Sequence, residues 1–240
     1  MELETMWQTG YRIFLSGRQH RVCINGQFSS WAPVTSGIPQ GSVLGPLLFV
    51  LYINDLPDNI ISDIFLFADD TKIFNRIDSQ EDANKLQSDL TKLQEWSDKW
   101  LLKFHPGKCK VVDISIRDRV QYSYFLDDVE LEHSEVEKDL GVYIDNRLKF
   151  DSHMSTKINK ANNILGAIRR SFSYLDNTIM LRLYTALVRP HLEYANPVWS
   201  PRYKKDITTI ENVHKRATKM IPALRELPYK ERLKILKLPS

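Results

Sequence analysis

Apolar residues recur at three- and four-residue steps along two long stretches of the chain, and each stretch predicts an amphipathic helix. Over residues 81–101 the positions are Ala83, Leu86, Leu90, Leu93 and Trp100. From residue 150 onward they are Met154, Ile158, Ala161, Leu165, Ile168 and Phe172. Further helices are expected near residues 7–15, 43–54, 178–194, 205–220 and 229–236, and Ser42 suits the N-cap of the strongly apolar, buried helix over 43–54. Shorter apolar runs about turn-forming pairs predict strands. Residues 19–31 surround Asn25-Gly26, and residues 63–74 place an Asp-Asp pair between two apolar runs, so both read as hairpins. Residues 110–116 and 140–144 read as strands, with another hairpin in the charged stretch between them. Pro106-Gly107 opens a turn after the 81–101 helix. The order is mixed helix and strand, then all helix, an α+β chain with a boundary at 146/147.

Charge sharpens that boundary. From Arg147 to the end there are 19 Lys/Arg against 7 Asp/Glu, a net of +12. The residues before it carry 14 basic and 23 acidic side chains, a net of −9. An acidic part joined to a basic part suggests a carboxylate site beside a polyanion-binding surface, with a solvated basic helix face as the plainer alternative. Cys23 and Cys109 show no metal-binding spacing and read as reduced thiols. The first ten residues are polar, and the longest apolar run, 46–53, is too short to span a bilayer. A zinc site, secretion and membrane insertion are therefore not expected.

Asp69 and Asp70 are the centre of the candidate chemistry. Adjacent carboxylates at a hairpin tip suit Mg²⁺, which takes one or two carboxylates along with water and substrate phosphates. Taken by themselves, they also suit a solvated turn. Upstream lies SGIPQGSVLGPLLF, residues 36–49. Gly37, Gly41 and Gly45 admit close approach of backbone to a ligand, Pro39 and Pro46 stiffen the turns, and Gln40 offers an amide that both donates and accepts.

The string SGIPQGSVLGPLLFVLYINDL followed by FLFADDTKIF resembles the reverse transcriptases of non-long-terminal-repeat retrotransposons of the jockey-like group. The resemblance implies a partial polymerase palm, an antiparallel sheet with helices on one face, over residues 1–146. An all-α thumb and helical extension would follow over 147–240. PQG resembles motif B, so Pro39, Gln40 and Gly41 would touch nucleotide and template. FADD resembles motif C, which makes Asp69 and Asp70 ligands of Mg²⁺ (or Mn²⁺), with Phe67 and Ala68 lining the nucleotide pocket. WLLKFHPGKC resembles motif D, with Lys108 either steering or protonating the leaving pyrophosphate or a surface lysine on a turn. Leu140, Gly141 and Val142 resemble the primer grip of motif E. Residues 183–195 with Trp199 are similar to the region that follows the polymerase core, and Phe14-Leu-Ser-Gly-Arg18 also fits the family.

The implied partners are an RNA template, a DNA primer strand and deoxynucleoside triphosphates, in a nuclear or cytoplasmic setting. Lys157, Lys160, Arg169 and Arg170 are candidates for the nucleic-acid backbone, with further basic clusters at 202–205 and 215–219. Tyr174, Tyr184, Tyr194 and Trp199 either stack on bases or fill the core. Tyr184 favours core, and His153, His191 and His214 read as structural or surface residues. The family's motif A aspartate, which bridges both metals, is expected upstream of Trp7. None of Glu2, Glu4, Asp55, Asp58 and Asp63 is a convincing replacement. The sequence thus reads as an amino-terminally truncated polymerase, inactive alone. The alternative is a remnant that binds nucleic acid through its basic helices.

Overall fold

The computed structural model describes residues 2–38, 41–115 and 120–238. They gather into two compact units, Met1–Lys103 and Phe104–Ser240. The shift in charge and composition near Arg147 falls inside the second unit. Helices alternate with short strands in an α+β chain, and the described strands pair in two-stranded sheets.

The first unit opens with helix α1 (Glu2–Leu15). Strand β1 (Gln19–His20) pairs with β4 (Ala32–Pro33), and between them β2 (Cys23–Ile24) pairs with β3 (Gln27–Phe28). Asn25 and Gly26 both have positive φ, 50° and 80°, as a two-residue turn of this hand requires. Helix α2 (Leu44–Tyr52) follows. The Ser42 hydroxyl accepts the N–H of Gly45 at 3.0 Å, although Val43 holds the position just before the helix. The expected burial of α2 does not occur. Only Gly45 is buried in it, while Leu47, Val50 and Leu51 are exposed, because no other described element covers these side chains.

Strands β5 (Asp63–Phe67) and β6 (Asp70–Phe74) form a regular antiparallel hairpin. Helix α3 (Gln80–Trp100) is the backbone of this unit's core. Ser79 accepts the N–H of Asp82, and Leu101 ends the helix in the left-handed region. Its apolar face buries Ala83, Leu90 and Leu93, and Ile53 and Leu56 are also buried in this unit. Polar bonds pin that face to residues 52–62. Trp96 Nε1 donates to Asp55 at 2.8 Å, the Tyr52 hydroxyl donates to the carbonyl of Trp100, and Lys92 Nζ donates to the carbonyl of Asn59 at 2.8 Å.

In the second unit a tight turn at Pro106–Lys108 leads to β7 (Lys110–Val111), which ends well short of the expected strand; Ile116 lies outside the described residues. The expected intervening hairpin is β8 (Phe125–Leu126) with β9 (Val129–Glu130), turning at Asp127-Asp128. Strand β10 (Glu132–His133) lies parallel to β7. Strand β11 (Val136–Asp139) pairs with β12 (Val142–Asp145). The Asp145 carboxylate accepts backbone N–H groups of Arg147, Lys149 and Phe150 and so closes the turn into helix α4 (Asp151–Ser171).

The helix expected over 178–194 is broken. Helix α5 (Asn177–Leu183) runs into a π-turn over Tyr184–Val188 and continues as α6 (Arg189–Glu193). Pro190 has no N–H to donate and its ring crowds the carbonyl four residues back, so the preceding turn widens. A short helix α7 (Asn196–Trp199), α8 (Lys204–Lys219) and α9 (Tyr229–Leu236) complete the unit. Leu165, Ile168, Met180, Tyr184, Val188, Val213 and Ile221 share one core, and Val142, Met154 and Trp199 form a smaller one.

Candidate active site

The β5–β6 register pairs Phe67 with Asp70, which leaves Ala68 and Asp69 as the two-residue connection. Ala68 has φ 52°, a left-handed conformation that costs a residue with a Cβ about 1 kcal/mol or more. Ile64, Leu66 and Ile73 are half-buried on one face. On the other, Phe65 and Phe74 are exposed and stacked, with centroids 5.4 Å apart and planes 4° from parallel. The rigid pleat thus presents Asp69 and Asp70 together at its end. Both are exposed, and neither carboxylate forms a hydrogen bond or ion pair with any described residue. Two uncommitted carboxylates at one tip fit the oxygen-rich, water-retaining coordination of Mg²⁺.

Among the described residues no group of three or more His, Cys, Asp or Glu side chains converges to hold a metal. Asp63 starts β5, four residues from the tip strand end, so about 13 Å separates it from Phe67. Asp55 is engaged by the Trp96 indole. Pro39 and Gln40 lie outside the described residues; Gly41 has φ 79° and is exposed.

The other candidates belong to the second unit. Lys108 is exposed at the end of the Pro106–Lys108 turn. Leu140 and Gly141, with φ 42° and 85°, form the two-residue turn between β11 and β12, and Val142 is buried beside Met154 and Trp199. Lys157 is half-buried and Lys160 exposed on α4, while Arg169 and Arg170 are exposed in its last turn, where the helix dipole favours cations. Tyr184 and Trp199 are core residues, and Trp199 Nε1 donates to the carbonyl of Tyr194 at 2.7 Å. Tyr174 and Tyr194 are exposed.

Two residues carry more than the sequence signalled. His153 is fully buried, accepts the N–H of Tyr143 through Nδ1 at 3.2 Å, and packs on Trp199 at 5.0 Å. Burial, with a smaller push from the Lys157 charge, lowers its pKa to about 4. Tyr194 donates its hydroxyl to the carbonyl of Leu140 at 2.8 Å, across 54 positions of sequence. No local pattern announces such a long-range bond.

Residues 2–175 match the family described as reverse transcriptase (RNA-dependent DNA polymerase). The chain is similar to the RNA-directed DNA polymerase from mobile element jockey of Drosophila funebris, 32% identical over 204 residues covering 78% of this chain and 22% of that protein. It is also similar to the jockey polymerase of Drosophila melanogaster, 26% identical over 229 residues covering 88% of this chain and 24% of that protein. The "Probable RNA-directed DNA polymerase from transposon X-element" of Drosophila melanogaster is 28% identical over 223 residues, 88% of this chain and 24% of that protein. The chain thus spans about a quarter of the length of the curated relatives it matches. No solved structure matches. With the family match running through both aspartates of the hairpin tip and on to the end of α4, the chain belongs to the reverse transcriptase family, in its non-long-terminal-repeat retrotransposon branch.

Proposed function

We propose that these residues are part of the catalytic region of an RNA-directed DNA polymerase. The observation that carries this is the Asp69–Asp70 pair, exposed and uncommitted at the tip of a registered hairpin in a reverse transcriptase chain. The reaction is attack of a primer 3′-hydroxyl on the α-phosphate of a deoxynucleoside triphosphate, with departure of pyrophosphate. Divalent magnesium, or manganese, held by Asp69 and Asp70 would supply the positive charge that such a transfer needs. Phe67 and Ala68 border the nucleotide, and Pro39, Gln40 and Gly41 meet its pairing partner on the template. Lys108 gives a proton to the departing pyrophosphate. Leu140, Gly141 and Val142 hold the primer end, and Lys157, Lys160, Arg169 and Arg170 take backbone phosphates. In this reading residues 1–146 are palm and 147–240 are thumb and extension.

A two-metal transfer needs more carboxylate than the tip offers. We therefore expect the 240-residue polypeptide by itself not to extend a primer on an RNA template, and a longer chain with one further aspartate strand to do so. Mn²⁺ titration tests the site directly. Paramagnetic broadening should be strongest at residues 67–70 and should weaken in Asp69→Asn and Asp70→Asn. Broadening elsewhere, or none, rejects the assignment, and extension by the 240-residue chain rejects its incompleteness. Binding without polymerisation is the second reading, favoured by the net charge of +12 from Arg147 onward. It predicts salt-sensitive affinity for duplex that is indifferent to both aspartate substitutions.

A further inference from the structure

Residues 5–54 carry no acidic side chain and three arginines, Arg12, Arg18 and Arg21, although the part of the chain before Arg147 is acidic as a whole. The hairpin formed by β1 to β4 lies inside this stretch, and hydrogen bonds pin its backbone. The Ser29 N–H donates to the carbonyl of Val22 at 3.0 Å, and the Val22 N–H donates to the Ser29 hydroxyl at 2.9 Å. The Val34 N–H donates to the carbonyl of Arg18 at 2.9 Å. The Arg18 guanidinium in turn donates to the carbonyls of Leu15 and Gly37, at 2.9 and 2.6 Å. Arg18 is therefore part of the frame.

Arg21 is placed differently. Its guanidinium carbon lies 3.9 Å from the centroid of the Phe28 ring and 4.6 Å from that of Trp31. The Cys23–Phe28 pairing puts Arg21, two residues before Cys23, on the Phe28 face of the hairpin. No carboxylate pairs with Arg21 among the described residues, and its N–H donors are committed to none of them. Phe28 and Trp31 each remain 58% exposed although the guanidinium lies against both. One uncompensated cation thus sits on two aromatic rings that keep more than half their surface open.

We propose that Arg21, Phe28 and Trp31 form a stacking site for unpaired bases of a single-stranded nucleic acid: bases lie on the two rings, and Arg21 donates to the phosphate that links them. The inference rests on the reading of the chain as a nucleic-acid polymerase, and gives a strand contact to a hairpin that has no role in that reading. Every base has a π face, so stacking on aromatic rings tolerates any sequence, but it needs bases that are not already stacked in a duplex. A phosphate is the complement of an arginine with free donors in a stretch without acids. A purely apolar partner would instead bury the Arg21 charge unpaired, at a cost.

The test titrates the 240-residue chain into fluorescein-labelled single-stranded RNA, single-stranded DNA of the same sequence, and an RNA–DNA hybrid duplex, read by anisotropy. Phe28→Leu and Trp31→Leu keep apolar bulk and remove the aromatic face. Together they should weaken binding of both single strands by about tenfold or more and change duplex affinity by less than about twofold. Arg21→Gln should lower the slope of log affinity against log salt by about 0.7, the share of one phosphate on a single strand, and Trp31→Leu should leave that slope unchanged. Unchanged single-strand affinity in the double variant overturns the stacking site and leaves the polymerase reading standing. Equal losses on single strands and duplex overturn it as well, because the rings would then support the fold rather than take a base. Self-association of the chain that the double variant abolishes would assign the rings to a second copy and overturn the site. Absence of binding to all three nucleic acids overturns both the site and the reading it rests on.

Discussion

The buried carboxylate of Asp89 accepts the backbone N–H of Ser62 at 2.8 Å and that of Ile61 at 3.1 Å. One side chain of α3 thereby holds the segment that enters β5, the strand that ends at the Asp69–Asp70 tip. Lys92 completes the arrangement, with its ammonium 2.7 Å from the other Asp89 oxygen. Burial alone would push the Asp89 carboxyl up. The hydrogen bonds from Lys92 and from Ser62 and Ile61 outweigh it and hold the carboxyl below its ordinary range.

Asp89→Ala should therefore destabilise the first unit by about 3 kcal/mol, the scale for removing one partner of a buried, hydrogen-bonded charge. Two backbone donors and an ammonium lose their acceptor. Urea unfolding followed by Trp96 and Trp100 fluorescence measures the loss. Asp89→Asn should cost less, since its amide oxygen still accepts one N–H. Equal stability of all three chains would show that the bonds to Ser62 and Ile61 contribute nothing net.

Acid should weaken the second unit earlier than it weakens the first. Buried His153 titrates at about 4 when folded and near 6.5 when unfolded. Between those values the unfolded chain binds the extra proton and the folded chain does not, so stability falls as pH drops from about 6.5 to about 4. Asp89, whose folded pKa is depressed, contributes stability that is present above about 3.9 and lost only as pH falls below it. His153→Gln should flatten the dependence between pH 6.5 and 4. An unchanged slope in that variant would remove His153 as its source.

Gly141→Ala should cost about 1–3 kcal/mol. The residue has φ 85°, where a side chain is strained, and the added Cβ would press on the Tyr194 ring at 3.2 Å. Because Tyr194 also holds Leu140, the variant should loosen the turn, with faster amide exchange at Val142 and Tyr143. Tyr194→Phe keeps the ring and loses only the bond to Leu140, so its cost should stay near 1 kcal/mol.

Ala68→Gly should stabilise the β5–β6 hairpin by about 0.5–1 kcal/mol. Glycine removes the penalty of φ 52°, and only part of that gain is returned as entropy of the unfolded chain. Thermal unfolding of the 240-residue chain reads the difference. A loss of stability would mean that the alanine methyl is packed rather than strained.

Elements with strong local signals were legible in the sequence. The 3.6-residue period marked α3 and α4 because a buried stripe must repeat with the helix, and α9 coincides with residues 229–236. Asn25-Gly26 and the Asp-Asp hairpin were legible because two-residue turns demand particular residues or place the acids between two apolar runs. Other features were not. The break at Tyr184–Val188 hid inside a continuous helical pattern, since Pro190 distorts the turn before it rather than the periodicity. Hydrophobicity implied burial for α2, yet burial depends on a covering surface that composition cannot report.

What the sequence determined by itself is the family and the identity of its acids: the motif around Pro39-Gln40-Gly41 and the Asp69-Asp70 pair are strings of neighbours, readable without coordinates. What only the tertiary structure decided is which distant groups meet. Asp89 reaches Ser62 across 27 positions, and Tyr194 reaches Leu140 across 54. Those contacts follow from how helices pack to bury their apolar faces. The polar atoms they bring together are set by packing, which no spacing along the chain encodes.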